Sequence, residues 1–119
     1  MNKVIMQGNL VKDPECRDLE DNKVCKITIA SNREREGKKD TCFIEGFCWR
    51  GLAGVVETYL RKGAGVLVEG RLKLDTWVTK ETNEKRQKHV IVVDNLIMLD
   101  KKGTNSQGTT NEENIWVYA

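Results

Sequence analysis

Histidine occurs once in these 119 residues, at His89, and the four cysteines (Cys16, Cys25, Cys42 and Cys48) never stand at Cys-x-x-Cys spacing. A structural zinc site needs four clustered ligands, so no metal is expected. In a reducing compartment the cysteines read as four small thiols, in the core or on the surface. There is no Gly-rich phosphate loop and no serine or cysteine beside a histidine, and the carboxylates are scattered through charged stretches. Neither an enzyme activity nor a cofactor is expected from such a chain. No apolar run approaches the length of a membrane span. The first seven residues alternate like a strand and lack the apolar stretch of a signal peptide. The expectation is a cytoplasmic protein with no membrane partner.

What is present centres on Thr41 to Trp77, which reads as strand, helix, strand. Alternate strand residues point to opposite faces. Phe43, Glu45, Phe47 and Trp49 therefore share one face, and Cys42, Ile44, Gly46 and Cys48 share the other. A narrow barrel takes the small apolar face inward, which leaves large rings outside. In the strand from Gly65 to Trp77, Val66, Val68, Leu72 and Leu74 share a face with Gly70, against Glu69, Arg71, Lys73, Asp75 and Trp77. Between them, Leu52, Val55, Val56, Tyr59 and Leu60 form an amphipathic stripe over a helix from Arg50 to Lys62, with Tyr59 expected in the core and Gly63 at the C′ position.

Elsewhere the chain adds three strands. Asn2 to Lys12 alternates Val4, Met6 and Leu10 against Lys3, Ile5, Gln7, Asn9 and Val11, with a bend expected at Gly8 and an end at Asp13-Pro14. Val24 to Ser31 alternates Cys25, Ile27 and Ile29 against Lys26, Thr28 and Ala30. His89 to Leu99 is apolar on both faces, as a strand buried on both sides would be. Asn32 to Asp40 and Thr79 to Lys88 read as charged loops. The first is either a solvated hairpin tip or a flexible arm that contacts phosphates. Five strands with one helix between the third and fourth give an all-β OB-fold, a five-stranded Greek-key barrel, over residues 1–100. Residues 101–119 read as a disordered polar linker and a short acidic and aromatic tail. That tail, with Glu112, Glu113, Ile115 and Trp116, has three readings: a peptide for a partner, a frayed end, or a strand on its own barrel.

Residues 1–103 hold all 20 Lys and Arg and 16 of the 18 Asp and Glu, a net +4. A mildly basic body suits a polyanion. Exposed rings on a sheet suit single-stranded nucleic acid, because unstacked bases present flat faces worth about 1–3 kcal/mol each when stacked. Phe43, Trp49 and Trp77 are the stacking candidates, and Phe47 shares their parity. Arg33, Arg35, Lys38 and Lys39 are placed to follow the backbone, with Lys62 and Lys73 near the sheet.

The residues resemble those of the bacterial-type single-stranded DNA-binding protein family. The matching runs include Asn2-Lys-Val-Ile5, Gly8-Asn-Leu10, Asp13-Pro-Glu15, Tyr59-Leu-Arg-Lys-Gly63, Val68-Glu-Gly-Arg-Leu72 and Val92-Val-Asp-Asn-Leu96. The resemblance implies an OB-fold that assembles, usually as a homotetramer, and wraps single-stranded DNA in replication, recombination and repair. It places the family's stacking aromatics on Phe43, Trp49 and Trp77. Arg35 stands where the family often has a further tryptophan, and Ile44 where it often has a histidine at a subunit contact. The tail lacks the family's Pro-Phe tip, which recruits replication and repair proteins. Such divergence fits a phage or mobile-element origin.

Two other readings use the same residues. In one, the barrel is a protein-interaction module of the replication machinery, with its rings buried in an assembly. In the other it is an RNA-binding domain of the cold-shock sort, because stacking alone does not read the 2′-hydroxyl.

Overall fold

The computed structural model describes residues 1–99 and 115–118. The elements run β1 (Val4–Leu10), β2 (Glu15–Leu19), β3 (Asn22–Arg35), β4 (Lys38–Trp49), α1 (Arg50–Tyr59), β5 (Gly65–Val78), β6 (Lys85–Leu99) and β7 (Ile115–Tyr118). The sheet order is β1-β5-β6-β4-β3-β2, and β1 also pairs with β3. That last pairing closes β1, β3, β4, β5 and β6 into a barrel, as the OB-fold expectation required. All neighbours are antiparallel except β4 and β6, which run parallel from Glu45↔Val90 to Phe47↔Val92. Closure happens at Gly8. A side chain there would stand 2.3 Å from the Ala30 carbonyl oxygen, so only glycine lets β1, still paired with β5 through Asn9↔Gly65, come close enough to meet β3 at Asn9↔Ala30.

The interior follows the alternation. Cys25, Ile27 and Ile29 of β3, Cys48 of β4, and Val66 and Val68 of β5 are buried together. Leu52, Ala53, Val56 and Leu60 from the α1 region cover the same core. Lys23 ties α1 to the β2–β3 hairpin through Glu57 at 2.7 Å and Asp18 at 2.8 Å. The Asn2 side chain both donates to and accepts from the Leu72 backbone, which fastens the N-terminal residues to β5.

Several expectations need correction. The helix ends at Tyr59, because Leu60 is already extended (φ −98°, ψ 141°) and turns into the core. Tyr59 is left past the rim, 65% exposed, instead of in the core. Gly63 lies in the turn toward β5, with φ +92°, and does not cap the helix. Leu72 and Leu74 are 37% and 46% exposed, because β5 outruns the barrel to form a hairpin with β6. The charged stretch 32–40 is strand almost throughout, paired to Arg35↔Lys38 around a two-residue turn, Glu36-Gly37, in which both residues have positive φ. β6 is apolar in both parities for a specific reason. The register slips between Glu69 and Gly70 so that Asp94 bulges out. Ile91 and Val93 before it, and Leu96 after it, all face inward.

β2 was not expected as a strand. It pairs with β3 from Glu15↔Lys26 to Leu19↔Asn22, which sets Cys16 opposite Cys25 at a Cα separation of 4.0 Å. The two form a disulfide, so the reading of four free thiols is wrong for this pair. Cys42 is exposed, and burial pushes the Cys48 thiol up to about 12. A thiol reagent at pH 8 should therefore titrate one cysteine in the native protein, at Cys42, and a second only in denaturant. Four reactive thiols in denaturant without a reductant would remove the disulfide.

At the C-terminal end, β7 pairs with β6 from Asn95↔Tyr118 to Met98↔Ile115. Of the three readings of the tail, this pairing corresponds to a strand on its own barrel at the positions of Ile115 and Trp116. Glu112 and Glu113 lie outside the described residues. Among those described, no helix is long and apolar enough to cross a membrane.

Candidate nucleic-acid interface

Paired residues in neighbouring strands point to the same side, so the register defines one outer face across four strands. On β4 it carries Phe43, Glu45, Phe47 and Trp49. Their partners on β3 are Ala30, Thr28, Lys26 and Val24. On β6, Val90 and Val92 lie beside Glu45 and Phe47. Val92, Val90, Lys88 and Arg86 in turn face Arg71, Lys73, Asp75 and Trp77 of β5. Three of the four candidate rings are open to solvent: Phe43 at 66%, Trp49 at 37% and Trp77 at 41%. Phe47 is half-buried. Phe43 and Trp49 are six residues apart on one strand, roughly 20 Å at strand rise, room for several stacked bases. Trp49 stands at a sharp corner, because Arg50 takes φ +57° as the chain enters α1.

The basic candidates divide. Lys73 lies on the ring face, opposite Val90. The long β3–β4 hairpin projects from the same sheet, and a 2.7 Å hydrogen bond between the Thr41 and Asn32 side chains braces its base. Lys39, opposite Glu34, shares the parity of Phe43. Arg33, Arg35 and Lys38 take the other parity, and all four cations are exposed. Lys62 is elsewhere. It follows α1, and its backbone N–H donates to Asp13 Oδ1 at 2.8 Å.

The register also brings in residues that the sequence reading did not single out. Arg71, Arg86, Lys88 and Lys26 all lie on the ring face. A row of alternating charges crosses it. Lys12 meets Glu15 at 2.9 Å, Glu15 meets Lys26 at 3.3 Å, Lys26 approaches Glu45 at 3.8 Å, and Glu45 meets Lys88 at 2.7 Å. The row ends with the Lys88 ammonium 5.3 Å from the centre of the Trp77 ring, a cation–π contact. Hydrogen bonds from Lys12 and then Lys26 hold the Glu15 carboxyl below the usual carboxylate range. Val90 is 2% exposed beneath this row although it points outward. Between the strands the face dips into a depression of about 330 Å³, lined among others by Phe47, Lys26, Glu45, Asp75 and Lys88. A larger hollow of about 800 Å³ between β1 and β3 has neither a ring nor a charged side chain in its lining.

An open sheet bearing rings and cations on a closed five-stranded barrel is what stacking on single strands requires. The model of the single-strand binding protein family matches residues 1–99. The chain belongs to this family. One relative, a single-stranded DNA-binding protein of Wolinella succinogenes, is 38% identical over 118 residues, spanning 94% of this chain and 72% of the relative. Another, single-stranded DNA-binding protein 1 of a Synechocystis strain, is 34% identical over 114 residues and 93% of each chain. Among solved structures, the Plasmodium falciparum SSB in complex with ssDNA superposes with a TM-score of 0.76 at 27% identity, over 84% of this chain and 96% of that one. The family match ends at the last residue of β6, so β7 lies beyond it.

Proposed function

We propose that this protein binds single-stranded DNA with little sequence preference, bases stacking on Phe43, Trp49 and Trp77 while cations around them neutralise the backbone. The observation that carries the reading is the single outer face on which the register collects these three exposed rings with Lys73, Arg71, Arg86 and Lys88. Family membership supports the same reading and a role in replication, recombination and repair. The β3–β4 arm, with Arg33, Arg35, Lys38 and Lys39, extends the track for phosphates. No catalytic step is proposed.

The protein works as a homo-oligomer, a tetramer by the family's habit, in the cytoplasm. Exposed Ile5 on β1, and Leu72 and Leu74 on the hairpin, supply apolar surface for such an assembly. Sedimentation of the free protein at the monomer mass would remove this part. The C-terminal segment from Glu112 to Trp116 is proposed as the element that replication and repair proteins meet, which requires a partner either to take Ile115 and Trp116 off β6 or to meet them as they lie in β7.

The binding claim is tested by fluorescence anisotropy of a labelled dT oligonucleotide, with a duplex and an RNA of matched length as competitors. Tight binding to dT should weaken with salt, the slope of log K against log salt changing by roughly −0.7 per phosphate neutralised. The duplex should compete poorly, since its bases are not free to stack. Equal competition by duplex would reduce the face to a general polyanion surface, and preference for RNA would favour the cold-shock reading.

A further inference from the structure

Glu45 sits at the centre of the ring face, which also carries the carboxylates of Glu15, opposite Lys26, and Asp75, opposite Lys88. Its carboxylate takes Lys88 at 2.7 Å and approaches Lys26 at 3.8 Å. Its side chain is only 23% exposed and lies between Phe43 and Phe47 on β4. Lys26 has a second carboxylate, Glu15, at 3.3 Å. Lys88 has no other ion pair among the described residues, and its ammonium is also over the Trp77 ring. One carboxylate thus holds the cation nearest to a stacking ring, in the position where a base and its phosphate would come. A carboxylate among phosphates repels them, and a lysine already paired neutralises no phosphate.

We infer that Glu45 is a positioning residue that latches Lys88 against Trp77, so that the free interface is held below the affinity its cations would otherwise give. While Lys88 stays on Glu45 it neutralises no phosphate, and the side of the indole that it covers is not open to a base. The latch gives a face that binds single strands yet releases them readily. The inference rests on the reading of this face as the DNA site.

The test is Glu45→Gln, which keeps shape and removes the charge, compared with the wild type, Lys88→Gln, the double variant, and Glu20→Gln. Glu20 lies in the turn between β2 and β3, and no contact links it to Lys26 or Lys88. Each is titrated with one dT oligonucleotide between 50 and 500 mM salt. Glu45→Gln should steepen the slope by about 0.7, one released charge, so its advantage at 50 mM should be roughly fivefold larger than at 500 mM. Glu20→Gln should leave the slope unchanged, and adding Lys88→Gln to Glu45→Gln should return it to the wild-type value. Tryptophan emission of the free Glu45→Gln protein should also shift, because the ammonium leaves the Trp77 ring. An unchanged slope in Glu45→Gln, a gain equalled by Glu20→Gln, or a gain that survives loss of Lys88 would each overturn the latch. A change of affinity without a change of slope would make Glu45 merely structural. If the wild type itself fails to bind, it is the DNA-binding proposal that falls, so the two failures are distinguishable.

Discussion

Trp77→Ala should lower the affinity for a dT oligonucleotide by roughly 5- to 150-fold while the protein stays folded. The range is the value of one stacked base, about 1–3 kcal/mol. Trp77 belongs to the β5–β6 hairpin, opposite Arg86 and beyond the barrel, and it is 41% exposed. Removing the ring leaves no cavity in the core, so melting should change little. The loss should persist at high salt, since stacking does not release counterions. Trp77→Phe, which keeps a flat face, should recover most of the affinity. Anisotropy at two salt concentrations checks this. Unchanged affinity in Trp77→Ala would mean that the ring serves only as a platform for Lys88.

Gly70→Ala should fail at a different level, by opening the barrel. Gly70 follows the register shift at which β5 and β6 exchange parity. A Cβ there would stand 2.0 Å from the Val92 carbonyl oxygen and 2.9 Å from its carbon. Backbone cannot rotate away as a side-chain tip can, so the strands must part. Overpacking alone costs about 1–3 kcal/mol, and ladder hydrogen bonds lost at the same point add about 1 kcal/mol each. We expect a loss of at least ~3 kcal/mol, which for a domain of this size lowers the melting temperature by roughly 12–25 °C. Gly54→Ala is the matched control. It lies on α1 with open space around it, and should stabilise by about 0.5–1 kcal/mol through helix propensity. Thermal melts of the two variants check both. A Gly70→Ala melt equal to wild type would show that the approach of β5 to β6 is looser than described.

The barrel could be read from the chain because its evidence is local. Period-two alternation in β1, β3, β4 and β5, one amphipathic stretch, and the glycine at the bend of β1, Gly8, each lie within a short window. The outward placement of Phe43, Trp49 and Trp77 was legible for the same reason, since parity along a strand sorts rings from small residues. What was missed depends on pairing between strands. Lys26 and Lys88 matter because of what lies across from them, and no pattern within β3 or β6 states that Glu45 is their neighbour. Cys16 meets Cys25 only because β2 folds back on β3, and Glu15–Leu19 has too little apolar content to announce a strand. The bulge at Asp94 mixes two parities on one face, so the strand reads as apolar on both sides. Tyr59 was misplaced because the stripe continues in the sequence past the point where the helix unwinds.

The measurement to make is a titration of tryptophan fluorescence with dT oligonucleotides of increasing length at low salt. If bases stack on Trp49 and Trp77, emission should fall strongly and saturate at a defined length, which gives the number of nucleotides held. Absence of both quenching and binding at low salt would contradict the account, and the ring-bearing face would then have to be an interface with protein.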